Sequence, residues 1–255
     1  MKSITLLEKA YGRYKRAALR AFRTHLSEDL EGLEVQVKQI STSPHDWITI
    51  EFEGEDEEAA SNFLTHRYGA ACPLGRLDVN QIRKGKLIET GVYGYGLFID
   101  MGILADRRID GFLSLNTLRH QLAHDAKIPL RTLIDLYGFL DHLPLEIKID
   151  SIDRGKKNVQ VSLSDTQIAI YRKWVNSKLE RLIVCGIMRH HLKKAVLRTG
   201  HFRDIHAIER LGLLEETISC KSGTNAPGLL AEIGPLLKNT EIHLFIPARL
   251  QPYLW

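Results

Sequence analysis

Cysteine is scarce: Cys72, Cys185 and Cys220 are odd in number and far apart. That excludes a disulfide framework and a Cys-x-x-Cys metal pair. Long apolar runs are also missing. Stretches such as Leu182 to Met188 fall far short of the roughly 20 residues of a membrane helix. The opening MKSITLLEKAYGRYKR has no apolar core of the kind a signal peptide needs. Neither charge sign dominates, with 35 Lys+Arg against 31 Asp+Glu and a net charge of +4. Histone-like tails and acidic solvating chains are excluded by that balance. What is present is ordinary globular composition, 44% apolar and 26% charged, over 255 residues. That length accommodates two or three modest domains. A soluble cytoplasmic protein with reduced thiols is the expectation.

The charge is uneven along the chain. Residues 1–72 hold 9 basic and 12 acidic side chains, residues 73–165 hold 13 and 12, and residues 166–255 hold 13 and 7. Attraction for polyanions is therefore expected in the last two thirds. Uneven charge between domains is also common without any partner behind it.

The pattern divides the chain into three α+β segments. Residues 1–72 read as β-α-β-β-α: Ile4 to Leu7 is a short apolar run, followed by helical spacing from Arg13 to Leu30. Leu33, Val35 and Val37 alternate with polar residues, and a second strand covers Trp47 to Phe52. The acidic run Glu55 to Glu58 suits the first turn of a helix continuing to Tyr68, which explains it better than a metal site. This order is most of a ferredoxin-like unit. A junction is placed at Ala70 to Gly75.

Residues 73–165 change character. Lys86 to Met101 is rich in glycine, aromatics and β-branched residues, which points to strongly bent strands. Further strands are read at Phe112 to Asn116, Leu145 to Ile152 and Val159 to Leu163, with helices near Leu118 to Ala123 and Leu130 to Tyr137. Pro129 is expected in the first turn of the second helix. About five short strands with one helical insertion before the fourth describe a small closed barrel. Residues 166–255 supply a linking helix and then β-α-β-β-α-β, a second ferredoxin-like unit.

The blocks GVYGYGLFIDMG, DGFLSLN, EIKIDSID and VQVSLSD resemble, in order, the RNA-binding domain first named for ribosomal protein S1. The match covers residues 85–165 and implies an OB-fold with five strands. The resemblance puts that family's two exposed aromatics at Tyr95 and Phe98, its acidic position at Asp153 and its polar last-strand position at Gln160. Two departures stand out. The family's histidine is Ser114 here and its serine is Asn116, while its frequent arginine is Gln160. Independently of the name, bases stack on exposed aromatic faces at about 1–3 kcal/mol each. Lys156 and Lys157, in the adjoining turn, suit phosphate contacts. The whole chain also resembles an archaeal domain-of-unknown-function family (twenty-one-ten) through GEDEEAA, the barrel, TGHFRDI, IERLGLLE and GTNAPGLL. That resemblance implies an archaeal source and an S1-like centre.

In the last segment, IMRHHLKKAVLR sets Arg189, Lys193, Lys194 and Arg198 along a helix. Such a stripe either follows a phosphate backbone or is a solvated face. His190, His191, His201 and His206 lack ligand spacing for zinc. KSGTNAPGLL reads as a helix cap by Thr224 or Asn225, in preference to an anion site. Buried structural roles are expected for Cys185 and Cys220.

The expected function is a non-catalytic RNA-binding protein, translation- or ribosome-associated, with no metal, cofactor or membrane contact. Its partner is RNA, with a protein or a second copy engaging the ferredoxin-like sheets. An RNA-processing enzyme of nuclease type is the alternative, for which His201 and Asp204 are the best acid–base pair. A protein–protein scaffold in the transcription or translation machinery is the third reading.

Overall fold

The computed structural model describes residues 1–253. The N-terminal unit comprises β1 (Lys2–Lys9), α1 (Lys15–Asp29), β2 (Val35–Thr42), β3 (Trp47–Gly54) and α2 (Glu57–Tyr68). Its antiparallel sheet has the order β1-β3-β2. Ala18, Phe22 and Leu26 of α1 recur at four-residue spacing and are buried with Ile4, Ile48, Ile50 and Phe52. After α2 the chain returns along β1, where Leu6 bridges Ala70 and the Ala71 N–H bonds the Thr5 carbonyl. That return is the stub of a fourth strand.

The stub runs into β4 (Cys72–Pro73) and the central unit. There follow β5 (Ile82–Ile88), β6 (Gly96–Asp100), β7 (Ile103–Leu104), β8 (Asp110–Ser114), α3 (Leu115–Ala123), α4 (Leu130–Tyr137), β9 (Pro144–Asp153) and β10 (Asn158–Leu163). Five of these strands close into a barrel of order β10-β8-β6-β5-β9. The closing seam is a short parallel pairing of Val159 with Gly111 and Gln160 with Phe112. Alternation works as expected: Leu97, Ile99, Leu113, Ile147, Ile149, Val159 and Val161 fill the interior. The two helices between β8 and β9 add Leu118, Leu122, Leu130 and Leu133 to the same core. Pro129 is the N-cap of α4, one position earlier than expected. β4 pairs with β7, which ties the junction to the barrel.

α5 (Asp165–Ser177) is more than a linker. Ser164 caps it, and Tyr171 and Trp174 pack into an aromatic cluster with Tyr137, Phe139 and Phe245. The C-terminal unit is β11 (Arg181–Cys185), α6 (Arg189–Arg198), β12 (Ile205–Arg210), β13 (Glu215–Cys220), α7 (Ala226–Ile233), β14 (Glu241–Phe245) and α8 (Pro247–Leu250). Its sheet order, β12-β13-β11-β14 with all neighbours antiparallel, is the ferredoxin-like arrangement. α6 and α7 cover one face through Leu192, Val196, Leu229 and Ile233. On the other face Ile183, Cys185 and Phe245 merge with the barrel's core. The fold class is thus α+β, with a barrel between two sheet-and-helix units. No helix among the described residues is long and apolar enough to cross a membrane.

The three units meet on buried charge. Lys86 of the barrel lies 2.6 Å from Glu215 of the C-terminal sheet, and the Tyr11 hydroxyl donates to the other Glu215 oxygen at 2.8 Å. Lys9 reaches Asp100 at 2.7 Å, and the same carboxylate accepts from Trp47 Nε1 and the Gly102 amide. Glu8 accepts from the Leu213 amide. Lys9, Lys86, Asp100 and Glu215 are each buried with a partner, the condition under which such groups are tolerated.

Candidate nucleic-acid interface

The outer surface of the barrel is set by register. Phe98 of β6 lies opposite Phe112 of β8, and Phe112 lies opposite Gln160 of β10. Side chains of paired residues share a face, so these three form one row across the strands. The loop before β6 adds Tyr93 and Tyr95. The result is a patch of four rings: Tyr93 to Phe98 is 5.3 Å between centroids, Tyr95 to Phe112 is 5.6 Å, and Phe98 to Phe112 is 5.3 Å. Phe98 and Phe112 are half-buried, whereas Tyr95 is 57% exposed and Tyr93 38%. Tyr95 is thus the most exposed of the four aromatic residues.

Gly96 is the residue that lets the patch form. A Cβ there would lie 2.5 Å from Phe112 Cε2 and 2.6 Å from the Leu113 carbonyl oxygen. Its absence lets the Phe112 ring lie against the β6 backbone. The aromatic loop is pinned at its base. Arg108 bridges Glu89 at 2.7 Å and Asp110 at 2.9 Å, and the Thr90 amide donates to Asp141 at 2.7 Å. Burial raises the Asp110 carboxyl above its ordinary range, and Arg108 opposes that. A held loop loses less entropy when a ligand arrives.

Of the barrel residues singled out from sequence, Tyr95, Phe98 and Gln160 fall on this face, and Tyr93 and Phe112 were missed. The signals were available: Phe112 alternates with buried Leu113, and Tyr93 lies two residues before Tyr95. Other positions have structural duties. Ser114 caps α3, its Oγ accepting from the Thr117 amide at 3.1 Å. Asp153 accepts the Lys156 amide at 2.9 Å and closes the β9–β10 turn. Gln160 donates along its own strand to Asn158 at 3.0 Å. Lys156 and Lys157 are exposed at that turn.

In the C-terminal unit, Lys193, Lys194 and Arg198 are exposed on α6. Arg189 turns inward, donating to the Ile208 carbonyl and lying 3.6 Å from Glu216 Oε2. The KSGTNAPGLL turn is occupied by its own caps: Asn225 Oδ1 accepts the Gly228 amide and Glu180 accepts the Ala226 amide, both at 2.7 Å. His201 does meet Asp204, at 2.7 Å through Nδ1, but its Nε2 is held by Glu232 at 2.8 Å. Those two hydrogen bonds raise its pKa and hold the charged ring. Both ring nitrogens are thus engaged. Among the described residues no three His, Cys, Asp or Glu side chains gather as metal ligands.

Sequence profiles of the DUF2110 family match three successive stretches of the chain: its N-terminal domain over residues 3–73, its central domain over 73–175 and its C-terminal domain over 179–245. The chain belongs to the DUF2110 family. No curated protein matches it. Among solved structures, this DUF2110 chain is similar to the solution structure of GSP13 from Bacillus subtilis, at 20% identity and a TM-score of 0.25, over 38% of this chain and 61% of that one. It is similar to a chain of the a/eIF2alpha–aDim2p–rRNA complex from Pyrococcus horikoshii OT3, at 13% identity and a TM-score of 0.26, over 49% of this chain and 64% of that one. The intact alpha subunit of aIF2 from Pyrococcus abyssi aligns at 9% identity and a TM-score of 0.24, over 66% of this chain and 97% of that one.

Proposed function

We propose that this protein is a non-catalytic RNA-binding protein whose barrel takes single-stranded segments of RNA, ribosomal RNA among them, on the Tyr93–Tyr95–Phe98–Phe112 surface. The observation that carries the reading is the exposed Tyr95 ring held beside three other rings by a pinned loop. Bases offer π-faces whatever their identity, so such a surface binds unpaired nucleotides with little sequence preference. Lys156 and Lys157 supply cations at the β9–β10 end of the barrel. Ser114 and Gln160, bonded within the protein, are not the principal contacts. Cytoplasmic translation is the setting this reading suits.

Ultraviolet crosslinking of the protein to RNA in its native cells, with mass-spectrometric mapping of the crosslinked peptides, tests it. Crosslinks on the segment from Val92 to Phe98 are expected. RNA crosslinks confined to other segments, or none at all, contradict it.

A further inference from the structure

The acidic total of the N-terminal unit hides a basic helix. Arg16, Arg20 and Arg23 of α1, and Arg13 just before it, are exposed and have no ion-pair partner among the described residues. Six of that unit's twelve acids lie between Glu51 and Glu58, and Glu28 and Asp29 sit at the C-terminal end of α1. α1 lies beside α6 of the C-terminal unit: Tyr14 packs on His191 with ring centroids 4.7 Å apart. A cleft runs between the two helices, lined by Ala21 and His25 on one side and by Arg189, His190, Lys193 and Arg210 on the other. Neither helix carries an acid in its first turn.

The cleft's cations are incompletely neutralised. Glu216, fully buried beneath them, lies 3.6 Å from Arg189 Nη1 and 3.8 Å from Arg210 Nε. Neither contact is a hydrogen bond, and both Glu216 oxygens lack a hydrogen-bond partner. Burial also pushes its carboxyl up to about 7. At the rim, Glu28 faces His25 at 3.5 Å. Among the described residues Lys194 and the α1 arginines have no ion-pair partner, and Lys193 acts on Glu216 through its charge alone. The cleft's own cations are Arg189, Lys193 and Arg210, and the α1 arginines lie outside its lining.

We propose that the cleft between α1 and α6 is a second RNA site, holding the phosphodiester backbone through Arg189, Lys193 and Arg210 of the C-terminal unit against the Ala21–His25 face of α1. The proposal rests on the reading of the barrel as an RNA-binding surface and extends it to a separate, sequence-indifferent grip. Phosphate contacts of this kind position a strand and make its binding depend on salt. Ala21 is the small residue on the α1 side of the cleft.

The experiment measures binding of a labelled single-stranded oligoribonucleotide by the full-length protein across roughly 50 to 200 mM salt. Lys193→Gln removes one exposed cation and is expected to reduce the slope of log affinity against log salt by about 0.7. Ala21→Glu places a carboxylate in the cleft and is expected to lower the slope further. Tyr95→Ala is expected to weaken binding at every salt concentration with the slope kept. Wild-type slopes in both cleft variants overturn the proposal. Loss of slope in those variants, with wild-type affinity in Tyr95→Ala, supports the cleft and overturns the barrel surface instead. Inorganic phosphate serves as the other probe, read by imidazole NMR signals of His25 and His190. If phosphate shifts them and the oligoribonucleotide does not, the cleft takes a free anion and the RNA assignment is overturned.

Discussion

Lys86 Nζ and Glu215 Oε2 are 2.6 Å apart, and both side chains are excluded from water, at 1% and 0% exposure. One belongs to the barrel and the other to the C-terminal sheet, while Tyr11 of the N-terminal unit donates to the same carboxylate. All three units therefore contribute to this one contact. Gly212 leaves room for it, since a Cβ there would lie 2.0 Å from Glu215 Oε2.

Removing one partner strands the other. Lys86→Met leaves the Glu215 carboxylate buried with only the Tyr11 hydroxyl, and a loss of about 3–5 kcal/mol is expected in denaturant unfolding. Replacing both residues by methionine is expected to recover most of that loss, because the desolvation penalty goes with the charges. Equal stability of Lys86→Met and wild type contradicts this account.

His142 stacks on Tyr11 at 3.8 Å between ring centroids, in the same junction. Burial first, and then the charges of Lys9 and Lys86, lower its pKa from 6.5 to about 4. The folded protein keeps the ring neutral in that window, whereas the unfolded chain takes up a proton below 6.5. Stability carried by the neutral ring is therefore complete above pH 6.5 and declines as pH falls towards 4. Melting temperatures measured across that range are expected to fall less steeply in His142→Gln than in wild type. Identical acid limbs contradict the assignment.

The elements were legible because period decides them. Leu145, Ile147 and Ile149 alternate with Glu146 and Lys148, and the structure buries the apolar set as a strand. The helical spacing of Ala18, Phe22 and Leu26 likewise becomes a buried face. The junction was not legible. Lys86 and Glu215 sit in strands where a charge ordinarily marks the solvent side, and their burial comes from another unit packing over them. Nor was the α1 cleft legible, since it depends on α1 packing beside α6, which is far away in sequence. Tyr95 and Phe98 were found through resemblance. Phe112 alternates with buried Leu113, and the register of β8 then sets it beside Phe98.

Gly96→Ala tests how the aromatic patch is built. The new methyl group meets the Phe112 ring, so the ring must leave its place or the strands must part. Overpacking of this kind costs about 1–3 kcal/mol. Reduced stability together with weaker RNA binding is expected, read by thermal melting and fluorescence anisotropy. RNA affinity equal to wild type shows that Phe112 is not part of the binding surface.

The proposed stacking of a base on Tyr95 is read by the affinity of Tyr95→Ala for a single-stranded oligoribonucleotide. Tyr95 is exposed, so truncation leaves the barrel core intact. Loss of one stacked base, about 1–3 kcal/mol, raises Kd by roughly 5- to 150-fold. Tyr95→Phe, which keeps the ring, is expected to bind within about a factor of two of wild type. A Kd for Tyr95→Ala equal to that of wild type contradicts the claim.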